Sequence, residues 1–500
     1  MKSKRKIYVP LLVVLTMLSP CLRANNLRVD NVQLVGQDRE SRQVRIVFDL
    51  AWDNSWHNAL NHDAAWVFVK FRAPGSNDWQ HAYLSPNQTD HQARGGVVEV
   101  GCSAVDEVDR GIGVFVYSEQ TQTGTVSYAK TSLCWDYGAS GYNWRMGEKI
   151  DVAVQGIEMV YVAEGPFFVG SGGTEENSLT DGGWDSGATL PLLIDSEAAL
   201  RMAPEPGCLW GTESSAYNYG LIGPEGELPA AFPKGHAAFH CMKYEITQGQ
   251  YADFLNLLTE TQATKRYPVQ YGINRFIITG SWPAFSAAEA PDRACGMIDW
   301  VDGAAYAQWA GLRPMTELEF EKACRGPAAP VPNEYVWGTT SIKNQTGHEG
   351  VDGSGTETAL PADANVLAAG SLLKGPVRGG IYAMADSTRA QAGASYWGIM
   401  ELGGNLWERA VTVGRLEGRS FTGRHGDGRL GANGNATVSD WPGYTSTGIT
   451  GFAGVGWRGT HWNRSSTQAR TSDRSMGTHA NSLALPYGFR GVRTAPPAIP

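Results

Sequence analysis

The chain has 500 residues, 42% of them hydrophobic, with 17 tryptophans and a formal charge of −9. That is enough apolar material for two or three packed domains, and the absence of any Lys/Arg-rich block after the first few residues excludes the clustered positive charge of a nucleic-acid footprint. The 61 glycines and 25 prolines favour turn-rich architecture over long helices.

The chain opens on "MKSKRKIYVPLLVVLTMLSPCLRANN", a basic start, an apolar run from Ile7 to Leu18, and small residues ending at Ala24. This is the pattern of a secretory signal peptide over residues 1–24, too short in its apolar part to span a bilayer. Export to a periplasmic, cell-surface or secreted location is therefore expected. Lipid on Cys21 is the alternative, and Pro20 directly before that cysteine counts against it. No later run is long and apolar enough for a transmembrane helix. Beyond the signal six cysteines remain, Cys102, Cys134, Cys208, Cys241, Cys295 and Cys324. An even number in an exported chain is compatible with disulfides whose pairing sequence does not choose. Cys102 with Cys134 is favoured, because both fall in one proposed domain.

From residue 25 to 154 short β-branched and aromatic runs alternate at period two, among them "RQVRIVFDLAW", "AAWVFVKFRA" and "GVFVYSE". Gly, Asn, Asp and Pro punctuate them, which predicts an all-β sandwich. His57, His62 and Asp63 in "WHNALNHDAAW" could gather on a metal, but they meet no recognised ligand spacing and are read as a polar loop.

Near Gln155 the character changes, and residues 155–496 form a second proposed domain. "GIEMVYVAEGPFFVGS" predicts a hairpin. In "KYEITQGQYADFLNLL" Thr247 and Gln250 form a capping box, with Tyr251, Phe254, Leu255 and Leu258 on one helical face. A second helix lies in "ACGMIDWVDGAAYAQWAG", stopped by Gly311, and a third in "RPMTELEFEKACRG", capped by Thr316 with Glu319 and ended by Gly326. The remaining chain, rich in Gly, Asn, Ser and Thr, shows hardly any helical period and closes on a strand, "YGFRGVRTA". Side-chain and backbone contacts, or a bound ion, must hold it.

These landmarks, in this order, resemble the formylglycine-generating enzyme or sulfatase-modifying factor family, whose fold is related to C-type lectins. The matching segments are "GPFFVGS", "YEITQGQYADF", "IDWVDGAAYAQWAGLRPMTELEFEKACRG", "ELGGNLWER" and "GFRGVR", collinear from about Ile157 to Thr494. The resemblance implies an α+β domain with few short helices and much irregular structure. It also implies a structural calcium at "GGNLWER", held by the side chains of Glu401 and Glu408 and the carbonyls of Gly404 and Leu406, a chemically reasonable set because Ca²⁺ takes six to eight hard oxygens. Asn405 would shape the turn and Trp407 pack beneath it. The alternative is that Glu401 and Glu408 are exposed carboxylates. A second family calcium site is only half visible, in Asn365 and the Val366 carbonyl.

The family's oxidative chemistry rests on two cysteines in the final segment that bind copper as thiolates. Here that segment has no cysteine, because none follows Cys324. The missing pair maps to within residues 461–466, so neither copper nor formylglycine-generating activity is expected. The family disulfide partner of Cys324 is missing too. Ser465, His461 and Asp473 suggest a hydrolase constellation, but no G-x-S-x-G turn supports it. What remains is a C-terminal face with Trp457, His461, Trp462, Asn463, Arg464 and Arg470, residue types that suit a peptide, glycan or protein ligand. The expected protein is an exported ligand-binding or scaffold module. The alternatives are an enzyme of altered chemistry and a structural component of a cell-envelope assembly.

Overall fold

A computed structural model describes residues 26–145, 147–183, 190–212, 219–268, 272–480 and 486–496; the expected signal peptide lies outside them. Most regular structure is strand, as expected, and it begins with antiparallel sheets. Strands β1 (Arg28–Asp38), β2 (Gln43–His57) and β7 (Gln122–Asp136) form a three-stranded sheet in the order β1-β2-β7. Strands β3 (Asp63–Arg72), β5 (Gly96–Val105), β6 (Val108–Ser118) and β8 (Asp151–Val162) belong to a second sheet, with the short β4 (Gln80–His81) paired to the end of β3.

The second sheet does not stop at the end of the sandwich. Its order is β5-β6-β3-β8 and then the strands Phe239–Met242, Gly491–Thr494 and Arg313–Pro314. Strand β8 pairs along its length with β3, from Asp151↔Arg72 to Val160↔Asp63, and its last residues pair with Phe239–Met242. One strand therefore runs through residues 154 and 155 and joins the two halves of the chain in a single ladder.

Alternation decides what each face of this sheet covers, because successive side chains on a strand point to opposite sides. On β3, Ala65, Val67, Val69 and Phe71 pack with Ile46, Phe48, Leu50 and Trp135 of the three-stranded sheet. Ala64, Trp66 and Phe68 belong to the other core, with Tyr251, Phe254, Tyr306 and Trp309 of the helices. Trp66 Nε1 donates to the Ala310 carbonyl at 2.8 Å. Gly101 and Gly113 make room for this ring: a Cβ at either would lie 2.6–2.7 Å from its carbons. The Arg493 guanidinium stacks 4.7 Å from Trp66 and donates to the carbonyls of Gly311 and Cys102. Residues from both ends of the chain thus meet on one tryptophan.

The helices start where capping chemistry predicts. Helix α1 (Gln248–Asn256) has the Thr247/Gln250 box, α3 (Trp300–Trp309) an Asp299/Asp302 box and α4 (Glu317–Arg325) the Thr316/Glu319 box. Helix α2 (Glu260–Arg266), with a Thr259/Gln262 box, was not expected. It buries Ala263 alone and so carries no apolar period to read. The favoured Cys102–Cys134 disulfide is corrected: all six cysteines are free. Cys102 sits on β5 opposite Gly111, and Cys134 on β7 opposite Arg45, in different sheets. His57, His62 and Asp63 do not converge on a metal. Asp63 accepts hydrogen bonds from Trp52 Nε1, Ser55 Oγ and the Trp56 amide, while the His62 ring stacks between Tyr117 and Tyr161.

Helix α4 carries the charges that fasten the irregular tail. Glu317, Glu321 and Arg325 repeat every four residues, so they share one helical stripe, and all three are buried. Glu317 accepts from Arg474 at 2.5 and 3.0 Å and from Arg458 at 3.2 Å. Glu321 accepts from Arg458 at 2.9 Å and from Ser472 at 2.9 Å. Arg325 pairs with Glu321 and Glu334. Burial pushes the Glu317 carboxyl up, but the Arg474 and Arg458 guanidinium groups and the Thr412 hydroxyl together outweigh it and hold the group below its ordinary range. Removing one member of such a buried network strands its partner, at a cost of about 3–5 kcal/mol. Arg474→Met is therefore expected to lower the denaturant-derived stability by about that amount; a loss under about 1 kcal/mol would place Arg474 with ordinary surface charges.

Candidate functional site

The turn "GGNLWER" is held from inside the protein. Gly404 has φ 91°, and a Cβ there would meet Val366 at 2.6 Å and the Leu367 carbonyl at 2.8 Å, so only glycine fits. Asn405 follows at φ 62°, a left-handed conformation that asparagine tolerates. Its amide donates to the Glu245 carboxylate and its Oδ1 accepts from the Val377 amide at 2.9 Å. Glu245 also accepts from the Leu406 amide at 3.0 Å. Glu245, in the "YEITQG" segment, was not singled out from the sequence, and it is the residue that clamps the turn.

The two glutamates expected to hold calcium are buried rather than exposed. Glu408 lies against Arg490 of "GFRGVR": Nε donates to both carboxylate oxygens at 2.9 and 3.0 Å, and Nη2 donates at 2.7 Å. Glu401 uses one oxygen to accept from the Gly380 amide at 2.8 Å, while its buried Oε2 has no hydrogen-bond partner. Glu401, Gly404, Leu406 and Glu408 therefore do not fit a cation as a set, because the Glu408 carboxylate is already neutralised by a guanidinium. Asn365 is likewise committed, accepting from the Lys343 amide and donating to the Ala390 carbonyl. Among the described residues no group of three or more His, Cys, Asp and Glu could hold a metal ion.

The C-terminal face divides into a buried and an open part. Trp457 is in the core, packed 5.0 Å from Trp407 and 4.1 Å from Tyr487, with the Arg409 guanidinium 4.5 Å over its ring. The His461 ring sits edge-on to Trp407 at 4.8 Å, and its Nδ1 accepts from the Asn463 amide. Burial pushes His461 down to about 3, so it is neutral. Trp462 is half-buried, Asn463 and Arg464 are exposed, and Arg470 donates to Asn333 Oδ1 at 3.0 Å. The hydrolase constellation does not assemble. Asp473 Oδ1 accepts from Ser475, and Ser465 Oγ lies 2.8 Å from Thr467 Oγ1.

Arg464 and Arg470 instead border a cleft of about 410 Å³ shared with Glu175, Glu176, Gln468 and Asp473. Glu175 is buried; one oxygen accepts from Ser171 Oγ at 2.6 Å and Oε2 has no partner. Gln468 Oε1 and Arg470 Nε are also unpartnered. Burial raises the Glu175 carboxyl and lifts Asp473 to about 6. These are desolvated carboxylates with too little positive charge beside them. Glu175 went unread in the sequence because "GGTEENS" has no period and no cap, and only folding brings it against Arg470.

Glu401 sets a pH dependence. Burial lifts its folded pKa to about 7, above the unfolded carboxylate value near 4.3. Its contribution to stability is thus complete below about pH 4 and is lost as pH rises through about 7. Glu401→Gln should flatten that window and stabilise the protein at pH 8 by up to about 3 kcal/mol, read from melting curves in chelator. A destabilised variant at pH 8, with wild type itself weakened by chelator, would show instead that Glu401 holds a cation.

The sulfatase-modifying factor enzyme 1-like domain matches residues 211–495, more than half of the chain. The formylglycine-generating enzyme of Thermomonospora curvata is 23% identical over 218 residues, covering 34% of this chain and 68% of that protein. The formylglycine-generating enzyme of Bos taurus is 25% identical over 179 residues, covering 28% of this chain and 48% of that protein. The "GGNLWER" turn clamped by Glu245 and the closing "GFRGVR" strand lie within the matched span, and the chain belongs to the sulfatase-modifying factor enzyme 1-like family.

Proposed function

We propose that this chain is an exported, non-catalytic member of its family that binds a ligand carrying a cationic group, with the cleft between Glu175 and Arg470 as its site. The observation that carries the reading is a substitution of chemistry. No cysteine follows Cys324, so thiolate nucleophile and soft copper ligands are absent from this segment. In their place Arg464 and Ser465 border a cleft with an orphaned carboxylate oxygen. Glu175, Glu176 and Asp473 outnumber Arg464 and Arg470, so an ammonium or guanidinium group would complete the charge, while a ligand carbonyl would satisfy the free Arg470 Nε. A peptide segment with a basic side chain offers both. Calcium has no part in this reading, since Glu408 is paired with Arg490.

The test is calorimetric titration with an acetylated, amidated alanine peptide carrying one arginine, against the same peptide with norleucine. The arginine peptide should bind, and Glu175→Gln should weaken it about tenfold, the effect of losing one charge-assisted contact. Because the cation requires ionised carboxylates, affinity should rise as pH passes through about 6, where Asp473 titrates. Equal binding of the norleucine peptide would refute the site assignment. A cysteine-containing sulfatase peptide should gain no aldehyde on incubation with the protein, with or without copper; aldehyde-specific labelling would overturn the non-catalytic reading.

A further inference from the structure

A second cavity, of about 490 Å³, lies away from the Glu175 cleft, where the end of helix α2 meets the start of α3 and the loop before residue 450. Its size falls within the range of small-molecule sites, roughly 300–1,000 Å³. Lys265, Arg266, Tyr267, Asp299, Asn433 and Asn435 are among its walls. None of these residues takes part in the turn or the C-terminal face.

Several of these walls are fixed by the protein, and some of their hydrogen-bonding capacity is unused. Arg266 Nη1 donates to Asp302 Oδ1 at 2.8 Å, while its buried Nε has no partner. Asn433 and Asn435 both donate to the Thr447 carbonyl, at 3.0 and 3.4 Å. Asn433 Oδ1 accepts from the Asn435 amide, and the Asn435 side-chain oxygen has no protein partner among the described residues. Tyr267 donates its hydroxyl to the Ile278 carbonyl at 2.8 Å, and its ring packs 4.8 Å from Phe285. That ring is therefore a rigid, half-buried wall. The formal charges cancel, Lys265 and Arg266 against Asp299 and Asp302, although burial and the neighbouring Asp299 push the Asp302 carboxyl up to about 8 against the pull of Arg266.

A cavity with no net charge, unused donors and acceptors from planar amides and a guanidinium, and one fixed aromatic ring does not select an ion. It matches a ligand whose hydroxyls both donate and accept and whose C–H faces pack on an aromatic surface. We propose that this cavity is a binding site for a neutral pyranose sugar, with Tyr267 under the ring and Arg266, Asn435 and Lys265 addressing the hydroxyls. The site is independent of the peptide cleft, so either assignment can fail without the other.

The experiment is saturation-transfer NMR, with calorimetry, on the full chain. The probes are the methyl pyranosides of glucose, galactose and mannose, with maltotriose to separate a free sugar from a glycan end and inorganic phosphate as the anionic control. At least one sugar should receive saturation. Lys265→Met, at an exposed position that does not threaten folding, should weaken it about fivefold, the worth of one net hydrogen bond. Tyr267→Leu should weaken it further, and Arg470→Ala should leave it unchanged. Tighter binding of maltotriose than of methyl glucoside would place a glycan end in the cavity. No transfer to any sugar, transfer indifferent to Lys265→Met, or preference for phosphate would overturn the proposal.

Discussion

The buried ion network on helix α4 is the constraint on which the rest of the molecule depends. Glu317, Glu321 and Arg325 form one stripe, and Arg458, Arg474 and Glu334 complete a cluster of three carboxylates and three guanidinium groups without net charge. Taking such charges out of water is costly, and apolar side chains could fill the volume at less cost, so the network is better understood as fixing register than as a source of stability. It selects one arrangement for a tail that has little regular structure of its own. Arg474 reaches the carbonyls of Asn177 and Gly220 as well as Glu317, and Arg458 reaches the Thr471 carbonyl. One short helix thereby sets the path of segments far apart in sequence, including the one that borders the Glu175 cleft.

The continuous sheet does for the two halves of the chain what the ion network does for the tail. A sandwich attached by a linker could be removed without exposing the core beyond it. Here β3 supplies one face to the three-stranded sheet and the other to helices α1 and α3, so the first half of the chain is the floor under the second. Lys70 makes the same connection with a polar group: its buried Nζ donates to the carbonyls of Trp309 and Gly428 at 2.7 Å. The sandwich is therefore part of the scaffold that positions the candidate sites.

At "GGNLWER" the turn is held by side chains from distant segments. Glu245 and Asn405 hold the turn, and Arg490 supplies the positive charge that Glu408 requires. At the C-terminal face the chain offers a neutral histidine, an exposed arginine and an amide. These can hold a ligand by hydrogen bonds and charge, but they do not supply a soft metal site.

Local chemistry in the sequence was enough for the strand-rich first half, the capping boxes at Thr247 and Thr316, and the collinear motifs, because each depends on residues a few positions apart. Helix α2 has no apolar face, since it buries Ala263 alone, and only its Thr259/Gln262 capping box marks it in the sequence. Burial was harder to read. Trp457 looks like a surface anchor beside His461 and Arg464, yet it lies in the core, and Glu401 and Glu408 look like free carboxylates or calcium ligands until Arg490, far along the chain, is brought against Glu408. Glu175, Glu245 and Arg266 carry no local signal at all. A carboxylate becomes a clamp, an ion-pair partner or an orphaned acceptor according to what long-range packing places beside it, and pairwise placement over hundreds of residues leaves no periodicity in the text. The family is legible in the sequence, as is the absence of any cysteine after Cys324, whereas which charges are paired within the fold depends on long-range packing.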